Sequence, residues 1–303
     1  MKNKTKCALT LPRVWALGAP DPEMERIDSL LRREGENVVY ATADGRRVHA
    51  GNAYRADDID RASTVYWVEC APPAPAKNHV FFDHHRPGDR GYGRSPRDFF
   101  PASSLGQVVL YLARRGRLPR VWDRDHTPLG QYDPGDVRYA EGRWVVGAGA
   151  RWVIIPSDLV ISAAADHCLR AAYAGLCPGV EPAQLAEFRL AVRAQHRGRS
   201  ESSLRADIDA AIDRLGRADC IWFSDRAVVR DMRGPLVPEL PEAAAQNLMD
   251  YIAGPIDCPD GRQKIVVSGR AATIEEFFRW APPNGLIDTY GDPARGFAGG
   301  YIE

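Results

Sequence analysis

The apolar residues of this chain fall into short runs, and several of those runs end in acids. Val14-Trp15-Ala16-Leu17-Gly18 is the first, and Asp21-Pro22-Glu23 follows it. Met24, Ile27, Leu30 and Leu31 then recur at helical spacing until Gly35 interrupts them. Residues 37–41 form another apolar run, so the pattern predicts a strand, a helix and a strand. That is the opening βαβ unit of a mainly parallel sheet. After a turn at Ala43-Asp44-Gly45-Arg46, residues 64–70 read as a buried strand carrying Glu69 near its end. Residues 79–82 read as the next strand, and Asp83-His84-His85-Arg86-Pro87-Gly88 follows directly. Three strand ends in one sheet thus carry acids, at the edge where open α/β sheets place their ligands.

Further along, Ser103 and Ser104 precede a helix predicted over 108–115. They are placed to cap it and to present hydroxyls to a phosphate. Residues 143–155 read as a β-hairpin, and a small-residue helix runs from 158 to 173 with Asp166-His167 inside it. Residues 182–215 are helical, interrupted by the polar stretch 197–200. A second strand system follows at 220–223, 227–229, 251–253 and 263–268, with helices over 241–248 and 273–280. Thr273 is the expected cap of the last helix, with Glu276 completing a capping box. The expected fold class is α/β: a mainly parallel sheet flanked by helices over 1–181, a helical connector over 182–216 and a smaller α/β domain over 217–303.

Composition narrows the function. Of 303 residues, 45% are apolar and 26% charged, which is ordinary for a soluble globular chain. Formal net charge is zero, so no overall field draws the chain to nucleic acid or to an acidic membrane. The six cysteines form no Cys-x-x-Cys pair, which argues against a zinc knuckle or disulfide framework and fits free thiols in a reducing compartment. No apolar stretch is long enough to span a bilayer, and Arg13 with two prolines interrupts the apolar amino-terminal run. The expected location is cytoplasmic.

The candidate chemistry is a cation site. Asp21, Glu23, Glu69, Asp83 and His84 come from strand ends, and Asp166 lies on a helix where an unpaired acid is costly. Bland readings stand beside these. Asp21 and Glu23 suit helix capping, Asp166-His167 suits a satisfied polar pair, and the glycines of 296–300 suit a tight turn. Alternatively, Gly299, Gly300 and Arg295 suit an anion held by backbone N–H groups and a guanidinium.

Taken in order, these stretches resemble the DHH phosphoesterase superfamily, as a divergent member with a DHH-associated C-terminal domain. Asp83-His84-His85 carries the name-giving motif, Asp21-Pro22-Glu23 sits where the family has Asp-x-Asp, and Glu69 where it has a bridging aspartate. Ala102-Ser103-Ser104 and the helix ending in Asp166 are similar to further family stretches. Residues 267–270 and 295–301 resemble the substrate-gripping parts of the second domain. Three departures stand out: Leu17 where the family usually has histidine, Glu23 and Glu69 for aspartates, and Arg295 for a histidine. His167 and His126 are the imidazoles available to replace the missing one.

The resemblance implies one or two Mn2+ or Mg2+ ions held by Asp21, Glu23, Glu69, Asp83, His84 and Asp166. It implies chemistry at Asp83, His84 and His85, and a phosphate held by Ser103, Ser104, Arg270, Arg295, Gly299 and Gly300. The implied substrate is a phosphorylated small molecule, a nucleotide or a short oligonucleotide. No membrane is involved, and homodimerisation is left open. The alternative reading is a catalytically degenerate protein that binds nucleotide or nucleic acid without hydrolysis.

Overall fold

Strand residues alternate between two apolar layers, and this alternation fixes the first sheet. The computed structural model describes residues 13–59, 63–119, 122, 136–148, 151–258 and 261–302. The chain begins with β1 (Arg13–Leu17), α1 (Pro22–Arg33) and β2 (Val38–Tyr40). A small hairpin of β3 (Thr42–Ala43) and β4 (Arg46–Arg47) follows, then β5 (Thr64–Val68) and β6 (His79–Phe82). Strands β1, β2, β5 and β6 form a parallel sheet in the order β2-β1-β5-β6. Trp15, Leu17, Tyr66, Val68 and Phe82 pack towards the helices. Ala16, Val65 and Trp67 pack against residues of the segment 41–56 on the other face. With both faces covered, the strands read as unbroken apolar runs.

The helical layer comprises α2 (Phe99–Ala102) and α3 (Ser104–Arg114) and, after the antiparallel strands β7 (Val137–Ala140), β8 (Arg143–Ala148) and β9 (Arg151–Ile154), α4 (Ser157–His167) and α5 (Leu169–Tyr173). The single helix expected over 158–173 is therefore two helices. Cys168 takes φ −153° and ψ 55° between them. In an unbroken helix the carbonyls of Asp166 and His167 would accept from residues four positions on. Here the Arg295 guanidinium donates to both, at 3.2 and 3.0 Å.

The second half contains α6 (Pro182–Arg197), α7 (Glu201–Arg217), β10 (Cys220–Ser224), β11 (Ala227–Arg233), α8 (Leu240–Gln246), β12 (Tyr251–Asp257), β13 (Gln263–Ser268), α9 (Ala271–Trp280), β14 (Leu286–Asp292) and β15 (Phe297–Ile302). The six strands form one sheet, β10-β11-β12-β13-β15-β14, parallel only between β11 and β12. Leu190, Ala194, Leu204, Ile208 and Leu215 cover one face, with α8 beside them. Ile274 and Phe277 of α9 cover the other. Residues 182–216 thus do more than connect, because α6 places Leu185 in the first core and Leu190 in the second. Ion pairs to two buried acids seal the join: Arg189 with Glu242, and Arg193 and the more exposed Arg197 with Glu239. The described cysteines are free, and no helix of the described residues is long and apolar enough to cross a membrane.

Thr273 is not the cap expected for α9, since Arg270 occupies that position and makes no side-chain cap bond. Instead the buried Thr273 hydroxyl donates to the Asp250 carboxylate at 2.6 Å, beside Arg170 and Arg270. Thr273→Val keeps the shape and removes this bond to a charged group. Chemical denaturation is expected to show a loss of about 1.5–3 kcal/mol.

Candidate metal centre

The register of the parallel sheet brings the site together. Leu17 is opposite Val68, and Val68 is opposite Phe82. The residues that follow, Gly18, Glu69 and Asp83, therefore leave the sheet at one level. Gly18 is required there by closeness, because a Cβ on it would lie 2.7 Å from the Glu69 carbonyl oxygen. Glu69 itself turns with φ +52°, a left-handed conformation uncommon outside glycine.

Donor atoms of Glu69, His84, His85 and Asp166 lie within 4.8 Å of one another. Asp166 arrives from the last turn of α4, and its carboxylate Oδ2 stands 3.1 Å from His84 Nε2. Among the described residues, Glu69 Oε1 is buried without a hydrogen-bond partner, and His84 Nε2 and Asp166 Oδ2 are buried with no partner but each other. Buried polar atoms are rarely left so. Unpartnered carboxylate oxygens and an imidazole nitrogen converging on one point are the donor set a divalent cation takes, so the residues present fit one.

Electrostatics supports the same reading. Burial, then Glu69 and Asp166, raises the Asp21 carboxyl well above its ordinary range. Burial, then Asp166 and Glu69, does the same to Glu23. Burial, together with Asp166 and Asp83, pushes Glu69 up to about 7 against the opposing pull of His85. Burial and the Arg295 charge push His84 down to about 3, leaving a neutral ring. Burial also opposes ionisation of Asp166, but its His84 contact and Arg295 outweigh this, and its carboxyl stays low. Acids crowded this closely repel one another when ionised, and a cation relieves that repulsion.

Other expected residues are placed differently. Asp21 caps α1, accepting from Met24 N–H at 2.7 Å, although its carboxyl also feels Glu69 and Asp166. Glu23 is buried and accepts from Leu105 N–H at 3.1 Å. Asp83, which the resemblance implies as a metal ligand, lies outside the converging four, and both its oxygens accept hydrogen bonds. Oδ1 accepts from the N–H groups of His84 and His85 and from His85 Nδ1, and Oδ2 from the Tyr54 hydroxyl. Burial would raise the Asp83 carboxyl, yet its bond to His85 and the histidine charges hold it low. Asp83 thus orients His85 and leaves its Nε2 for a ligand or a proton. Leu17 is fully buried in the core, with no imidazole at that position.

Of the phosphate-holding set, Ser104 and Arg295 stand beside the centre. Ser103 caps α3, accepting from Gly106 N–H at 3.0 Å and donating to the Phe100 carbonyl. Ser104 is buried with its hydroxyl 3.4 Å from His84 Nδ1. Gly299 and Gly300 lie in β15, between β13 and β14, where the sheet ladder and not an anion takes up their backbone. The turn is at 293–296 instead. Arg270 pairs with Asp250, and Arg295 is held by the end of α4. His126 lies outside the described residues.

Two contributors left no signal in the sequence. Tyr54, from a short turn, bonds Asp83 and lies under the Arg86 guanidinium at 3.5 Å. Gln107 donates to the carbonyls of Asp83 and Ala102 at 2.9 and 2.8 Å, tying the motif to α2. Comparison with protein-family models, curated proteins and solved structures finds no match for the chain.

Proposed function

We propose that the chain is a divalent-metal-dependent phosphoesterase acting on a phosphate ester of a nucleotide or short oligonucleotide, a divergent relative of the DHH phosphoesterases. The observation that carries this reading is the convergence of Glu69, His84, His85 and Asp166 at the strand ends. A divalent ion held there supplies Lewis-acid polarisation of a phosphoryl oxygen and acidifies water. The chain's own residues do the rest. Asp83 fixes His85 Nδ1 at 2.8 Å and so aims Nε2. Against burial, Glu69 and Asp83 favour positive charge at the His85 ring, and a cation held at Nε2 would take the place of the proton there.

A cleft of about 790 Å³ beside Asp83 supports the substrate class. Arg86 and Arg90 on its wall suit phosphate oxygens, while Tyr54 and the exposed Phe81 suit a flat base. The second reading, binding without hydrolysis, draws on the commitment of Asp83 to His85 and Tyr54 and on the apolar Leu17, which together leave a single group of converging donors among the described residues.

The test is Mn2+-dependent product release from a 5′-phosphorylated oligonucleotide, a cyclic dinucleotide and bis-p-nitrophenyl phosphate. Turnover is expected on at least one. Asp166→Asn is expected to abolish it, and Asp83→Asn to lower it by roughly 10- to 100-fold, as loss of a group orienting a ligand does. Metal binding by calorimetry without turnover would favour the binding reading. Absence of both would remove the metal centre altogether.

A further inference from the structure

We propose that His167 is a third imidazole donor at this centre, which makes the site one for a transition ion and not for Mg2+. The inference rests on the metal-centre reading above and extends it to a residue outside the converging four. His167 is 1% exposed, yet among the described residues neither of its ring nitrogens, Nδ1 nor Nε2, has a hydrogen-bond partner. A buried imidazole without a partner on either nitrogen calls for a ligand, because each dry nitrogen has lost its water and gained nothing.

The ring's surroundings indicate which ligand. It stands edge-on to the His84 ring, at a centroid distance of 4.9 Å and an interplanar angle of 85°. His84 Nε2 and Asp166 Oδ2, which face each other at 3.1 Å and have no other partner, belong to the ring beside it and to the preceding residue. Arg295 fixes the backbone on both sides of the ring by donating to the carbonyls of Asp166 and His167. One clamped helix end therefore carries both the Asp166 carboxylate and an imidazole set edge-on to His84.

With His167 included, the donors are three imidazoles (His84, His85, His167) and two carboxylates (Glu69, Asp166). Mg2+ prefers oxygen donors and keeps much of its water, whereas imidazole nitrogen favours first-row transition ions in the order Mn2+ below Fe2+ below Co2+. The selectivity then comes from the helix end carrying His167 and not from the Asp-His-His stretch alone.

The experiment uses the full chain, stripped of metal, in two measurements. Calorimetry is expected to give Co2+ at least about 100-fold tighter binding than Mg2+. Pulsed electron paramagnetic resonance of the Mn2+ form is expected to count three coordinated imidazole nitrogens. His167→Gln, with folding checked by circular dichroism, is expected to weaken Co2+ binding roughly 10- to 100-fold and lower the count to two. A count of two in the unaltered protein overturns the proposal whether or not the variant folds. So does equal affinity for Co2+ and Mg2+, and so does a folded His167→Gln protein with unchanged Co2+ binding. Failure to bind any of the three cations overturns the metal-centre reading as well, an outcome distinct from the loss of His167 alone.

Discussion

Metal-free protein is expected to lose thermal stability as pH rises from 6.5 to 8, and Mn2+ or Co2+ is expected to restore it. The sign follows from the groups at the centre. Glu69 titrates near 7 folded and near 4.5 unfolded, so the folded state binds the extra proton between those values and loses that advantage as pH rises through 7. Asp21 and Glu23, raised mainly by burial, act in the same direction. His85, raised above 6.5 by Glu69 and Asp83 against burial, stabilises the fold below 6.5 and loses that contribution above its folded pKa. His84 at about 3 and His167 at about 2, both lowered chiefly by burial, oppose this trend only below 6.5, where the unfolded chain protonates them. Asp83 and Asp166, held low by histidine contacts against burial, act at lower pH still. From 6.5 to 8 the remaining effects share one sign. Glu69 alone withholds on the order of 3 kcal/mol from the ionised metal-free fold, of which about 1 kcal/mol is lost between pH 6.5 and 8.

A cation at about 100 times its dissociation constant adds about 2.7 kcal/mol. Over a chain of 303 residues that is about 4 °C in Tm. The gain is expected to be larger at pH 8 than at pH 6.5, where protons compete for the same carboxylates. Differential scanning calorimetry in chelator and then in excess ion reads both effects. A metal-free Tm that is flat or rising over this interval would contradict the crowded-carboxylate centre.

The sequence carried the parallel sheet because each strand is apolar on both faces, and such runs have few other uses. It carried the site's position for a related reason: an acid directly after a buried strand must emerge at the sheet's end, and register aligns the ends. What adjacency cannot carry is which oxygen a neighbour occupies. Adjacency to two histidines does not show that the Asp83 carboxylate accepts from four donors, one of them distant Tyr54. The helix through Asp166 read as continuous because no residue between 158 and 173 breaks helices by propensity. Arg295, more than a hundred residues away, takes up the two carbonyls at the break. Gly299 and Gly300 suit a turn by composition, but both lie in a strand, and close packing there requires glycine at 299. A Cβ on Gly299 would lie 2.6 Å from the Tyr290 hydroxyl oxygen.

Gly91→Ala is expected to disrupt both the fold and the centre, although Gly91 contributes no side chain to either. A Cβ at Gly91 would lie 1.9 Å from the Ala102 carbonyl oxygen and 2.6 Å from His84 Cβ. Neither contact can be relieved by turning a flexible side chain. Gly91 N–H donates to the Asp83 carbonyl at 3.2 Å, and Gln107 ties that carbonyl to the Ala102 carbonyl. Moving the loop outward to make room therefore breaks those bonds and shifts the backbone that aims His84 and Asp83. The expected cost is about 4 kcal/mol in urea denaturation, at the upper end for overpacking against fixed backbone. Calorimetry of protein that remains folded is expected to show metal affinity reduced roughly 10- to 100-fold. Gly88→Ala is the control. Gly88 has φ +96° with open space around its Cβ position, so it carries backbone strain of about 1–2 kcal/mol and no collision. Metal affinity is expected to survive that change. Equal stability losses in the two variants would show that loop conformation matters here and not the approach of Gly91 to His84 and Ala102.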